Sequence, residues 1–182
     1  ETFVCAVAGA PVTSWLAYNA HYAERYLGAP NDPGNDERYE RCDLVAAAFE
    51  QTRRGGWRRD DRLGADGKRK KKMLIAHGAS DENVHLSHTA RLAHALEALD
   101  DADRASVSAT EEEEEKNAAK DDGPSSSSAS VERGSCTSRE NKREESSFEV
   151  VVFARERHVP RGRGARRALE ARIDAFLERA FD

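Results

Sequence analysis

The chain has 182 residues, begins at Glu1 and has Met73 as its one methionine, so we expect it to be part of a longer protein. Charged residues make up 35% and hydrophobic residues 38%, a lean supply for one core, and the formal net charge is −5. No apolar run approaches the roughly 18 residues that a membrane span needs, and the start has no signal-peptide pattern, so we expect no membrane partner.

The first predicted element is a strand over residues 2–8, which read TFVCAVA and end at Gly9. A nearly continuous apolar run, rather than strict alternation, is typical of a parallel strand covered on both faces by helices. Because this strand is so apolar, we also expect a further strand on its other edge.

A basic stretch follows at residues 52–72, with ten Lys/Arg against three Asp/Glu and an unbroken basic run at 68–72. Such runs occur in nuclear-import and nucleic-acid-binding patches. No interleaved aromatic residues or nucleic-acid-binding motif accompany this one, so we interpret it as a solvated loop insertion and expect no nucleic-acid partner.

The second predicted strand covers residues 73–76 (MLIA) and is followed by a predicted helix at residues 86–99. The helix is indicated by apolar residues at spacings of three and four. The segment 101–146 then breaks the pattern, with 13 Asp/Glu, 7 Lys/Arg and ten serines. This composition buries too little apolar surface to offset its ordering entropy, so we predict an acidic, serine-rich disordered insertion.

The last two predicted elements are a strand at residues 148–154 (FEVVVFA) and an amphipathic helix at residues 168–181. Removal of the two insertions leaves the order strand, helices, strand, helix, strand, helix. That order predicts an α/β fold with three mostly parallel strands and flanking helices.

Chemistry in open α/β sheets lies just beyond the carboxyl ends of the strands. Asp81 follows the second strand, within HGASDENVH, and His158 follows the third, within ERH. An acid and then a histidine form the later part of the Ser, Asp, His chain order of α/β-hydrolases. They are 77 residues apart, but removal of the 45 residues 102–146 leaves 32, about one helix and one strand.

Three motifs together resemble dipeptidyl peptidases of the prolyl oligopeptidase family, most of all its cytosolic members. AGAPVTSW at residues 8–15, with Tyr18 and with YAERY at residues 22–26, resembles the region downstream of the nucleophile. HGASDENVH and ERH resemble the acid and histidine motifs of the same branch. The resemblance covers roughly residues 1–50, 73–100 and 147–182, and implies the C-terminal part of an α/β-hydrolase domain.

The resemblance implies that Asp81 orients His158, and that His158 acts as general base toward a serine and then as general acid. It also implies a small apolar pocket for a proline or alanine side chain, with no cofactor and no metal. The pocket residues by this resemblance are Val12, Trp15, Tyr18, Tyr22 and Val84. Asn83 matches a residue that binds a substrate carbonyl, and Arg25 would lie behind the pocket.

The serine nucleophile of the family is missing, because no Gly-x-Ser-x-Gly motif occurs in the 182 residues. The β-propeller that binds the substrate amino terminus in dipeptidyl peptidases is missing too. By the resemblance, the parent protein is expected to be a serine peptidase that releases N-terminal dipeptides with Pro or Ala at the second position. This chain alone is expected to be inactive.

Plainer roles remain open for several of these residues. Asp81 could cap the following helix, and Glu82 could serve as the acid in its place. The three aromatic residues of the pocket could instead belong to the core. A zinc site built on the three nearby histidines lacks a carboxylate or cysteine to complete a tetrahedron. These histidines are His77, His85 and His88.

Two other functions also remain open: a different α/β-hydrolase, such as an acyl-peptide hydrolase or esterase, and a non-catalytic interaction protein whose acidic segment is a phosphorylatable docking tail. Residues 168–181 are a candidate homodimer surface, since the last helix often serves so in the resembling family, or they pack on the sheet. Cys5, Cys42 and Cys136 form no close pair, which favours a reducing, cytoplasmic location.

Overall fold

A parallel three-stranded sheet lies at the centre of the computed structural model, which describes residues 5–54, 72–118 and 146–181 and, for 103, 104 and 106–118, the backbone alone. The strands are β1 (Cys5–Gly9), β2 (Lys72–Gly78) and β3 (Phe148–Phe153). They lie side by side in the order β1-β2-β3. The predicted α/β fold with parallel strands is therefore confirmed. Most of the basic insertion and residues 119–145, with Cys136, lie outside the described residues.

The middle strand, β2, pairs in parallel with both neighbours, so that Val7 lies opposite Leu74 and Ile75 opposite Val150. Successive side chains of a strand point to opposite faces of the sheet. Leu74 and Ile75 are both fully buried, which shows that β2 is covered on both faces. This double cover explains why the strand reads as an apolar run rather than an alternation.

Helical segments connect and flank the strands. They are a short 3-10 helix (Trp15–Ala17), α1 (Ala20–Leu27), α2 (Asp36–Arg41), α3 (Leu44–Arg53), α4 (Ser87–Ala118) and α5 (Arg163–Phe181). Two of them begin at side-chain caps, since Asn19 accepts a hydrogen bond from the Tyr22 N–H and Asp43 accepts one from the Ala46 N–H. Such caps satisfy backbone donors that the first helical turn leaves open.

Helices α3 and α4 form the main core with β2. Val45 and Ala48 of α3 pack with Leu92 and Ala95 of α4 against Ile75. Helix α5 contacts β1 and β2 and buries Phe176, which is 1% exposed. Part of the apolar face of α5 is therefore used within the fold. Among the described residues, no helix combines the length and the apolar character that crossing a membrane requires.

Helix α4 is longer than the sequence pattern predicts. The apolar spacing indicates a helix at residues 86–99 and the composition indicates disorder from residue 101, whereas the helix runs from Ser87 to Ala118. Residues 101–118 are rich in Ala and Glu, which are strong helix formers, and extension of a helix that is already packed is favourable. The structure thus differs from the predicted disorder over this stretch.

Asp100 joins the two sides of the acidic insertion. Its side chain is 2% exposed, and its Oδ2 accepts hydrogen bonds from the Ser146 hydroxyl and the Ser147 N–H, both at 3.0 Å. The Ser147 carbonyl in turn accepts a hydrogen bond from the Met73 N–H at 3.0 Å. The chain therefore enters β3 at a fixed point beside α4, and the order of strands that the site requires is kept.

Candidate active site

The predicted acid and histidine lie in hydrogen-bond contact beyond the carboxyl ends of β2 and β3. Asp81 Oδ2 is 2.9 Å from His158 Nδ1, although 77 residues separate the two. Because an ionised carboxylate only accepts hydrogen bonds, His158 Nδ1 must carry the proton of this bond. In a neutral ring, Nε2 then holds the lone pair that can take up a proton.

The carboxylate of Asp81 is held from several directions, and the side chain is fully buried. Its Oδ1 accepts the backbone N–H groups of Asn83 at 2.9 Å and of Val84 at 3.0 Å. Burial alone would raise the pKa of Asp81, but the hydrogen bonds from His158 and from these two N–H groups outweigh it. They hold the pKa below its ordinary value of 3.8, so Asp81 is ionised at neutral pH.

The structure disagrees with two alternatives considered above: Asp81 as a helix cap, and Glu82 as the acid. Helix α4 begins at Ser87, too far along the chain for Asp81 to be its cap, and Asp81 instead closes a turn of its own loop. Glu82 forms an exposed ion pair with Arg157 at 2.9 Å. The carboxylate in contact with His158 is that of Asp81.

Gly78 brings the acid loop and the histidine loop together. A Cβ atom at this position would overlap the backbone carbonyl oxygens of Glu156 and Arg157. The loops also share backbone hydrogen bonds, from the Ala79 N–H to the Phe153 carbonyl at 3.0 Å and from the Ser80 N–H to the Glu156 carbonyl at 3.1 Å. Glycine is therefore needed where β2 ends, because the backbones approach too closely for a side chain.

The aromatic residues of the predicted pocket form a cluster at the surface rather than in the core. The Trp15 and Tyr22 rings stack at 5.9 Å, and Tyr18 lies edge-on to both at 5.8 Å. Tyr22 is 47% exposed, so a purely structural core role does not describe it. The Tyr18 hydroxyl donates to Asn83 Oδ1 at 3.0 Å, which joins this cluster to the acid loop.

The other predicted pocket residues are placed as follows. Val84 is 2% exposed, on the turn closed by Asp81, and Val12 is half-buried between β1 and the 3-10 helix. Arg25 is exposed, and its guanidinium lies 6.0 Å from the centre of the Tyr26 ring. These positions are compatible with a pocket beside the aromatic cluster, and the lining of that pocket stays a prediction.

His88 anchors the segment that carries Trp15 and Tyr18 (the aromatic segment), a role that the sequence pattern did not indicate. Its Nδ1 accepts the Thr13 N–H at 3.3 Å, and its backbone carbonyl accepts the Thr13 hydroxyl at 3.0 Å. Burial lowers the pKa of His88 below its ordinary value of 6.5, and the neighbouring positive charge of Arg91 adds to the effect. A backbone hydrogen bond with Ala17 opposes it. At neutral pH His88 is therefore uncharged, and it holds Thr13 in place through these hydrogen bonds.

His77 is the second buried histidine whose role the sequence did not reveal, and it contacts Asp81 Oδ2 at 3.3 Å. The three histidines considered as a zinc site thus have different partners, and His85 is exposed. Within the described ranges, no group of three or more His, Cys, Asp or Glu side chains is arranged to hold a metal ion.

Comparison with known proteins identifies relatives of this chain. A sequence model of the prolyl oligopeptidase family matches residues 1–117. The venom dipeptidyl peptidase 4 of Apis mellifera is 35% identical over 96 residues, which are 53% of this chain and 10% of that protein. The prolyl endopeptidase FAP of Mus musculus is 33% identical over 94 residues, 52% of this chain and 10% of that protein. The chain therefore spans about a tenth of these relatives.

A solved structure supports the same assignment at the level of the fold. The dipeptidyl peptidase 4 of Porphyromonas gingivalis superposes with a TM-score of 0.56 at 20% sequence identity, covering 97% of this chain and 16% of that one. The α/β-hydrolase fold predicted from strand order and motif spacing is confirmed. Because the family model matches more than half of the residues, the chain belongs to the prolyl oligopeptidase family.

Proposed function

We propose that this chain is the acid–histidine part of a serine peptidase that releases N-terminal dipeptides. The observation that carries the proposal is the 2.9 Å hydrogen bond between Asp81 Oδ2 and His158 Nδ1. His158 is 40% exposed at its side chain while Asp81 is buried, so the ring has a protected face on the acid and an open face toward a substrate. The serine would come from a segment outside these residues.

In the proposed reaction His158 first takes a proton from the serine and then gives it to the leaving amine. Its Nε2 takes the proton of the serine hydroxyl as the serine oxygen bonds to the peptide carbonyl carbon. The resulting imidazolium is stabilised by the negative charge of Asp81. The same proton then passes to the leaving amine as the carbon–nitrogen bond breaks, and a water molecule releases the acyl product by the same steps.

The aromatic cluster supports a preference for proline or alanine at the second position. Flat, rigid rings such as those of Trp15, Tyr18 and Tyr22 suit a pyrrolidine ring at little cost in side-chain entropy. Because Asn83 Oδ1 accepts the Tyr18 hydroxyl, the Asn83 Nδ2 group is left to donate to a substrate carbonyl. The relatives named dipeptidyl peptidase 4 and prolyl endopeptidase FAP agree with such a substrate.

The isolated chain is proposed to have no peptidase activity, because the acid and histidine act as a unit with the serine. A homodimer through α5 and a cytoplasmic location stay predictions. Cys5 and Cys42 are free thiols, as a reducing compartment would allow, and the third cysteine lies outside the described residues.

A substrate panel separates the dipeptidyl peptidase from another hydrolase of the same fold. The full-length gene product would be assayed with Gly-Pro-p-nitroanilide and with p-nitrophenyl acetate, as wild type and as Tyr22→Ala. A peptidase of the proposed kind cleaves Gly-Pro-p-nitroanilide, with KM raised by Tyr22→Ala and ester hydrolysis little changed. Turnover of the ester alone would favour an esterase and contradict the proposed substrate.

A further inference from the structure

His77 lies beside the acid, with its Nε2 3.3 Å from the same carboxylate oxygen that contacts His158. Its side chain is fully buried, in the second-last position of β2. Its Nε2 is 2.8 Å from the Val84 carbonyl oxygen and 3.3 Å from Asp81 Oδ2, and its Nδ1 is 2.7 Å from the Thr89 hydroxyl. The imidazole thus joins strand β2, the acid loop and helix α4.

These partners determine which nitrogen of His77 carries the proton. The Val84 carbonyl and the ionised carboxylate of Asp81 are both acceptors only, so Nε2 must be the donor. The Thr89 hydroxyl is 1% exposed and can donate, which lets Nδ1 remain an acceptor. These hydrogen bonds are therefore satisfied together when His77 donates from Nε2 to Val84 and accepts at Nδ1 from Thr89.

The loop segment that this donor holds at Val84 also orients the carboxylate of Asp81. Its Oδ1 is fixed by the backbone N–H groups of Asn83 and Val84. Oδ2 is hydrogen-bonded to His158, whose side chain is 40% exposed, and lies 3.3 Å from Nε2 of the fully buried His77. The fixed support of the acid is therefore the backbone of its own loop, which His77 holds from within β2.

We propose that His77 is a positioning residue, which donates its Nε2 proton to the Val84 carbonyl beside the Asp81 carboxylate and so holds the acid loop, and with it Asp81, toward His158. The catalytic effect of this positioning rests on the proposed function, while the geometric effect does not.

The test uses the 182-residue chain, labelled with nitrogen-15, and long-range nitrogen–proton NMR of its six histidine rings. In the wild type we expect His77 to carry its proton on Nε2 alone, and the His158 Nδ1 proton to be shielded from exchange with water. His77→Gln keeps a donor near the position of Nε2, whereas His77→Asn places its amide near Nδ1. The two variants therefore separate the hydrogen bond with Val84 from the hydrogen bond with Thr89.

We expect His77→Asn to speed exchange of the His158 Nδ1 proton about tenfold, as loss of one hydrogen bond would. His77→Gln should stay near wild type, and so should the matched control His85→Asn, which changes an exposed histidine of the same motif. Equal exchange in His77→Asn and wild type, with the fold intact by circular dichroism, would overturn the proposal.

A second pair keeps the proposal testable if the His77 variants do not fold. Thr89→Val removes the hydroxyl at constant shape, and Thr89→Ser retains it. We expect His77 to keep its proton on Nε2 in both variants, because the Val84 carbonyl can only accept; a proton on Nδ1 in either variant would contradict the proposal.

An activity measurement on the full-length protein separates this inference from the proposed function. Absence of Gly-Pro cleavage together with the expected NMR result would reject the peptidase function and leave the positioning role intact. With cleavage present, His77→Asn should lower kcat with KM little changed, because no contact with substrate is removed.

Discussion

The backbone carbonyl oxygen of Arg157 lies so close to the Cα of Gly78 that no side chain fits between them. This contact is where the loop carrying the acid meets the loop carrying the histidine. The spacing between Asp81 and His158 therefore depends on a residue that takes no part in the chemistry. The neighbour that blocks a Cβ here is backbone, which cannot move aside as a flexible side chain can.

Gly78→Ala is accordingly expected to destabilise the chain by about 1–3 kcal/mol, the range for an overpacked interior, and to displace His158 from Asp81. Urea unfolding measures the first effect. Gly164→Ala is the matched control, since a Cβ there meets no atom within 4 Å, and it should change stability by less than about 1 kcal/mol. Equal stability of the two variants would show that the close contact at Gly78 is not maintained.

The hydrogen bond between Tyr18 and Asn83 provides a second test, in the full-length protein. Tyr18→Phe removes the hydroxyl that orients the Asn83 amide, while keeping the ring. We expect KM for Gly-Pro-p-nitroanilide to rise up to about tenfold, the range for one neutral hydrogen bond. Tyr26→Phe changes an exposed ring of the same surface and should leave KM as it is. A similar KM for both variants would contradict a role for the amide in binding.

His88 predicts a pH dependence of the aromatic segment. Burial is the largest cause of the lowered pKa of His88, which lies below 6.5 in the folded chain. As the pH falls, the unfolded chain therefore binds a proton at His88 before the folded chain does. The free energy of unfolding should therefore decrease as the pH drops below 6.5, and be unaffected by His88 above it. Protonation would also put two donors, Nδ1 and the Thr13 N–H, against each other.

Trp15 reports this change, because it lies on the segment that His88 holds. In a Trp57→Phe background it is the one remaining tryptophan. We expect its fluorescence to shift on acidification below pH 6.5, and to shift much less in His88→Gln. An identical acid response in both proteins would assign the effect to another group.

Asp81 predicts a separate effect at lower pH. Although burial would raise its pKa, the hydrogen bonds to its carboxylate hold the pKa below 3.8, so the unfolded chain binds this proton more readily. The stabilisation is complete above about pH 4 to 5 and is lost as the pH falls through the folded-state pKa. The free energy of unfolding, measured with urea from pH 6 to pH 3, should fall less steeply for Asp81→Asn than for wild type. Parallel curves would contradict an ionised, hydrogen-bonded acid.

The sequence predicts those parts of the fold that local pattern determines. The apolar runs locate β2 and β3. Burial on both faces gives β2 one composition throughout, whereas β3 lies at the edge of the sheet and exposes Val150 and Val152. The pairing of Asp81 with His158 is predictable from parallel topology, since the carboxyl ends of adjacent strands meet at one edge of the sheet. The motif resemblance then identifies Asp81 in place of Glu82, which composition alone could not do.

The features that the sequence did not predict depend on tertiary partners. The sequence around His77, His85 and His88 does not distinguish their roles. In the fold, His77 contacts Thr89, His88 contacts Thr13, and His85 is exposed to solvent. The end of α4 was also missed. An acidic composition argues against burial, but a helix that is packed at one end can extend through exposed residues of high helix propensity.

The most direct test of the account is hydrolysis of Gly-Pro-p-nitroanilide by the full-length gene product, as wild type and as His158→Ala. We expect turnover by the wild type and a loss of about a thousandfold or more in kcat for His158→Ala, because the ring that carries the proton is gone. Turnover by His158→Ala at the wild-type rate would contradict it.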